Sequence, residues 1–129
     1  MNDRPTGVEL LRAVERFLEQ EVVPNLDGPR RYHARVAANV VAIVAREIET
    51  EEAQLQAEWE RLGALLGLRE ERPGTREALR DAVRERTRRL AERIRHGDAD
   101  AGAWRAEVIA HLRRSVADKL TVSRPPRGV

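Results

Sequence analysis

The segment from Pro29 to Thr50 constrains this chain most, because it is apolar on nearly every side of the helix it predicts. At 100° per residue, Val36, Ala37, Val40, Val41, Ile43, Val44 and Ile48 define one broad apolar face. Ala34, Ala38, Ala42 and Ala45 form a second stripe beside it, small enough to let another helix approach closely. A helix of this kind is covered on most sides, so the segment at about 29–49 is expected at the centre of a bundle. Pro29 suits its first turn, where a missing N–H costs nothing.

The rest of the chain supplies the covering helices. Thr6-Gly7-Val8-Glu9 fits a capping box, followed by Leu10, Leu11, Val14, Phe17, Leu18 and Val22 at helical spacing. Pro24 stops this first helix, and Asn25 to Gly28 is a turn. A third helix is expected from Glu51 to Leu66, with Leu55, Trp59, Leu62 and Leu66 as its stripe; whether it continues the second as one bent rod is open at Thr50. Gly67 to Gly74 is a loop. Thr75 caps a fourth helix with Leu79, Ala82, Val83, Leu90 and Ile94 inward, ended by Gly97. Asp98 or Asp100 opens a fifth, with Trp104, Val108, Leu112, Val116 and Leu120 inward. Nothing alternates like a strand. The expected architecture is all-α: a single helical bundle of four to five helices spanning residues 1–129, with frayed tails at 1–5 and 123–129.

Composition narrows the function. The chain has no cysteine, which removes disulfides, thiolate zinc sites and cysteine nucleophiles. Aromatics are 3%, so the core is aliphatic, and the formal net charge of +2 gives no reason to expect nucleic-acid binding. No apolar run approaches a membrane span, and Met-Asn-Asp-Arg-Pro does not open a signal peptide, so the expected compartment is the cytoplasm. The stretch Glu47 to Glu60 is acidic and Arg76 to Arg95 is basic; complementary solvated faces are the simpler account of both than a basic docking patch. A homodimer through an amphipathic helix is left open by the scattered leucines on an Arg/Glu-rich surface.

Catalytic motifs do not emerge. Ser115 and Ser123 sit in no strand–turn–helix elbow, and no glycine-rich phosphate loop is present. His33, His96 and His111 lack metal-ligand spacing. Asp98-Ala99-Asp100 starts like a calcium loop and fails at Gly102 and Ile109. No cofactor or metal is therefore expected, and an enzyme is not. The polar residues of helix two are more informative. Arg35, Asn39 and Arg46 share one narrow strip, and His33 and Glu47 fall inside the apolar face, about 21 Å apart along the helix. The two cannot touch, so each should have a local partner, for instance Glu21 for His33. Asn39 is expected in a buried network, with Arg35 and Arg46 partly exposed. The functional alternative is an anion- or partner-binding strip, since two guanidiniums and an amide fit few shapes.

Three blocks carry a resemblance: DRPTGVELLRAVERFLEQEVVP (3–24), YHARVAANVVAIVAREIE (32–49) and LRRSVADKLTVSRP (112–125). Together they resemble an uncharacterised bacterial helical domain family encoded beside, or fused to, aminoglycoside-phosphotransferase-like kinases, often near acyl-CoA dehydrogenases. The resemblance implies a non-enzymatic accessory or adaptor for such a kinase in acyl-CoA or fatty-acid metabolism, with no catalytic residue to carry over. The family's recurrent polar positions map onto Asp3, Arg4, Pro5, His33, Arg35, Asn39, Arg46 and Lys119. Arg124 departs from the pattern, which has Asn there. The competing reading is a helical bundle that binds a small anionic ligand.

Overall fold

A computed structural model describes residues 4–124. Among them every regular element is helical: α1 (Gly7–Phe17), α2 (Gly28–Leu66), α3 (Arg76–Arg95) and α4 (Ala103–Ser123), with a π-helical turn at Leu18–Val22 and a 3-10 turn at Val23–Asn25 extending α1. The fold is an all-α helical bundle, and its contacts fall into two compact units, residues 1–50 and 51–129.

The caps follow from chemistry. The Thr6 hydroxyl accepts from the Glu9 amide at 3.2 Å, and the Thr75 hydroxyl from the Ala78 amide at 3.0 Å. Glu9 does not complete the capping box as expected, because Arg4 Nη2 takes its carboxylate at 2.7 Å. Gly97 adopts φ +94° just past α3, the left-handed turn that favours glycine. At the start of α4 neither Asp98 nor Asp100 caps; Gly102 holds that place without a side-chain bond, and Asp98 instead accepts from Arg93 Nε at 3.0 Å.

Helices two and three are one helix. Nothing between Ala45 and Gln56 is Gly or Pro, and the Thr50 hydroxyl bonds back to the Arg46 carbonyl at 2.8 Å, so the backbone has no reason to break.

In the first unit, α1 lies antiparallel to residues 28–50 of α2. Arg12 reaches Glu49 at 3.3 Å at one end, and Arg31 Nε donates to the Val23 carbonyl at 3.1 Å at the other. The seam is the alanine stripe: Ala34, Ala38, Ala42 and Ala45 are buried. The broad valine face is not. Val36, Val40, Val44 and Ile48 are exposed, as are Leu10, Val14 and Phe17 on α1. The expectation that this helix is covered on most sides is therefore corrected. Small side chains win the intramolecular contact because they let α1 approach closely, and one helix can cover only one face.

The second unit is a three-helix bundle. Leu62 of α2, Val83 and Leu90 of α3 and Val108 of α4 form its buried cluster, with Leu55, Trp59, Leu65, Ile94 and Trp104 packed around it. The inner stripe expected for α3 is observed. That of α4 is observed only at Trp104 and Val108; Leu112, Val116 and Leu120 face solvent, and His111 takes the buried position instead. The acidic and basic runs meet as complementary surfaces: Glu51 pairs with Arg80, and Glu52 with Arg72 and Arg76 at 3.4 Å each. These pairs are exposed and screened by salt.

Candidate functional site

The strip on α2 becomes one wall of a groove. Arg35, Ala38, Asn39, Ala42 and Arg46 line it from α2, with Glu15, Glu19 and Val23 opposite, around a volume of about 440 Å³. The local reason is rotation: residues 35, 39 and 46 lie on one flank of the alanine seam, and the antiparallel α1 turns Glu15 and Glu19 to the same flank. Glu15 is held at 2.9 Å by Arg12, which is paired with Glu49 as well. The wall-to-wall balance is two guanidiniums against two carboxylates, so the groove is dipolar rather than purely cationic.

Arg35 and Asn39 are exposed, and neither makes a side-chain hydrogen bond to the described residues; Arg46 is half-buried. The buried network expected around Asn39 is therefore not formed. The alanines do bring α1 close, yet Asn39 lies beside the seam and lines the groove. His33 does not join this group. It lies on the other flank of α2, exposed, with its ring edge-on to Tyr32 at 5.6 Å between centroids. Glu47 is exposed on that same flank, so the local partners expected for His33 and Glu47 are absent among the described residues.

Of the other polar positions implied by the resemblance, Arg4 pairs with Glu9, Pro5 lines a separate hollow beside Arg12, Arg16 and Glu49, and Lys119 is exposed. Asp3 lies outside the described residues.

Two polar centres in the second unit, each built on one buried side chain, escape sequence reasoning. The Arg86 guanidinium is buried over the Trp59 ring, 4.3 Å from its centroid, and Nη1 donates to the Trp59 carbonyl at 2.8 Å. Its Nη2 is buried 3.9 Å from Glu70 and makes no hydrogen bond to the described residues. The signal that points to it is Gly63, a glycine inside a helix, where only a close approach repays the lost propensity. The second centre is Arg61. Its Nε donates to His111 Nδ1 at 3.3 Å and its Nη2 to the Ser115 hydroxyl at 3.4 Å, with Asp118 at 3.9 Å. Burial first, and the Arg61 charge second, push the His111 pKa down. His111 and Ser115 are both acceptors for one guanidinium, so this cluster is a clamp between α2 and α4 and gives no serine a base. Its sequence signal is His111 falling on the inner stripe that begins with Trp104 and Val108.

Among the described residues no group of three or more His, Asp or Glu could hold a metal ion, and no helix is long and apolar enough to cross a membrane. The model of one protein family, Domain of unknown function (DUF6285), matches residues 24–126. Comparison with curated proteins and with solved structures gives no match.

Proposed function

The chain belongs to the DUF6285 family, and from that premise we propose that it is a non-enzymatic accessory domain that works by presenting a helix face to a protein partner. The observation that carries this reading is α4. Ile109, Leu112, Val116 and Leu120 recur at spacings of three and four and are all exposed, on a flank of the helix beside the buried Val108 and His111. An apolar stripe of this kind suits the groove of a folded partner. The resemblance of the three sequence blocks supplies the partner class, an aminoglycoside-phosphotransferase-like kinase, and its metabolic setting, acyl-CoA or fatty-acid metabolism. The test is calorimetric titration of an aminoglycoside-phosphotransferase-like kinase with the wild type and with Leu112→Asp/Val116→Asp. Binding by the wild type that the double variant loses, at unchanged helical content, supports the reading. Absence of binding at tens of micromolar, on the order of the weakest useful encounters, refutes it.

A second reading rests on the α1–α2 groove, where Arg35 and Asn39 offer donors with no protein acceptor. There the chain binds a small anionic ligand, and Glu15 and Glu19 across the groove favour one that also carries an amine. Titration with phosphate and with an amino-group-bearing phosphate ester, against Arg35→Ala, separates this from kinase docking.

A further inference from the structure

Among the described residues, the buried apolar side chains of the first unit are Val23 and four alanines, whereas the largest fully buried ones, Leu62 and Leu79, both belong to the second unit. On the flank away from the groove, α1 exposes Leu10, Val14 and Phe17, and α2 exposes Val36, Val40, Val44 and Ile48, each by 38–54%. Because the two helices are antiparallel, rotation at 100° per residue turns both sets to the same side. On α2 itself, Val36, Val40 and Val44 lie opposite the alanine seam, so a second helix can cover them without displacing α1.

The order of residues along α2 selects the occupant. Val36 and Val44 stand four residues either side of Val40, and His33 and Glu47 stand seven either side. Seven residues are two turns, so His33, Val40 and Glu47 share one line down the centre of the face. We propose that two copies of the chain pair through α2, antiparallel about a two-fold axis at Val40, with His33 of each copy against Glu47 of the other. In that register Val36 meets Val44, Val40 meets itself, and Ile48 meets Tyr32. A parallel pairing would set His33 against His33 and Glu47 against Glu47, so the charges specify direction as well as position. The same register accounts for two polar residues inside an apolar face, neither of which has a hydrogen-bond or ion-pair partner among the described residues. The proposal uses α2 alone and stands independently of the α4 face assigned to a kinase.

The test is sedimentation velocity on the full chain with charge exchange. His33 and Glu47 are exposed, so the single fold of the chain does not depend on either. The wild type sediments as a dimer. His33→Glu, which places two carboxylates together, raises the dimer Kd at least about tenfold, as truncated or reversed charge pairs at interfaces do. His33→Glu/Glu47→Lys restores the dimer, and Val40→Asp abolishes it at unchanged helical content. Because the chain has no cysteine, Val40→Cys also gives a clean intermolecular disulfide on oxidation, and Asn39→Cys on the groove flank does not. A monomeric wild type, a dimer indifferent to His33→Glu, or failure of the double variant to rescue overturns the proposal.

Discussion

Replacing Gly63 by alanine should destabilise the protein, against the ordinary rule for a glycine inside a helix. Alanine favours helix over glycine by about 1 kcal/mol, so the substitution is stabilising wherever space allows. At Gly63 a new Cβ would lie 2.6 Å from Arg86 Nη1 and 3.6 Å from both its Cζ and the Leu68 carbonyl. The guanidinium must therefore move. It is 4% exposed and cannot swing into water. Moving it weakens a charge-assisted bond to the Trp59 carbonyl worth roughly 1.5–3 kcal/mol, and the stacking on Trp59, worth roughly 1–2 kcal/mol when desolvated. Partial loss of both outweighs the gain in propensity, leaving a net cost of about 1–3 kcal/mol. Arg86→Met removes the obstructing nitrogen and keeps an unbranched apolar chain over the ring. In that background Gly63→Ala should turn neutral or stabilising by up to about 1 kcal/mol. Urea denaturation of the four proteins, followed by far-ultraviolet circular dichroism, measures the coupling. If Gly63→Ala stabilises the wild type, or costs the same in both backgrounds, the contact does not govern this position.

Two further outcomes follow from the polar groups. The folded state lowers the His111 pKa below its ordinary 6.5, so the unfolded chain binds the proton more readily; stability is full above that value and declines as pH falls through it toward the folded pKa. His111→Gln should flatten this part of the stability–pH profile, and an unchanged slope would place the titration elsewhere. Asn39→Ala should change stability by less than about 0.5 kcal/mol, because the amide is exposed; a loss of 1–3 kcal/mol in thermal denaturation would return Asn39 to a buried network.

Local chemistry made the ends of the helices legible. Thr6, Thr75 and Gly97 act as their side chains and backbone freedom require, and Pro24 falls in the 3-10 turn that closes the first helical segment, although the α-helical part already ends at Phe17. Periodicity also placed Arg35, Asn39 and Arg46 on one strip, as 100° rotation must. It could not say which of two apolar faces of α2 meets α1, because hydrophobicity ranks valine above alanine while close packing rewards the smaller residue. Nor could it bring Glu15 and Glu19 to the opposite wall, since the antiparallel register depends on the turn at 23–27 and on the π-helical extra residue before it. Arg86 was hidden among eight arginines of one helix; only its position opposite Gly63 distinguishes it, and that is a contact between residues 23 apart in sequence.

Both indoles of the chain lie in the second unit, and each carries a guanidinium on its face, Arg86 on Trp59 and Arg93 on Trp104 at 4.0 Å. Trp104 further donates Nε1–H to the Leu65 carbonyl at 3.0 Å. The intrinsic emission of the protein is thus a private reporter of residues 51–129. Residues 1–50 contribute only Tyr32 and Phe17 and are optically almost silent at indole wavelengths. Ellipticity, in contrast, weighs every helical residue alike. Superimposable emission and ellipticity curves would mean that the two units melt as one cooperative body; separated midpoints would resolve the alanine-seamed hairpin from the three-helix bundle without any added label.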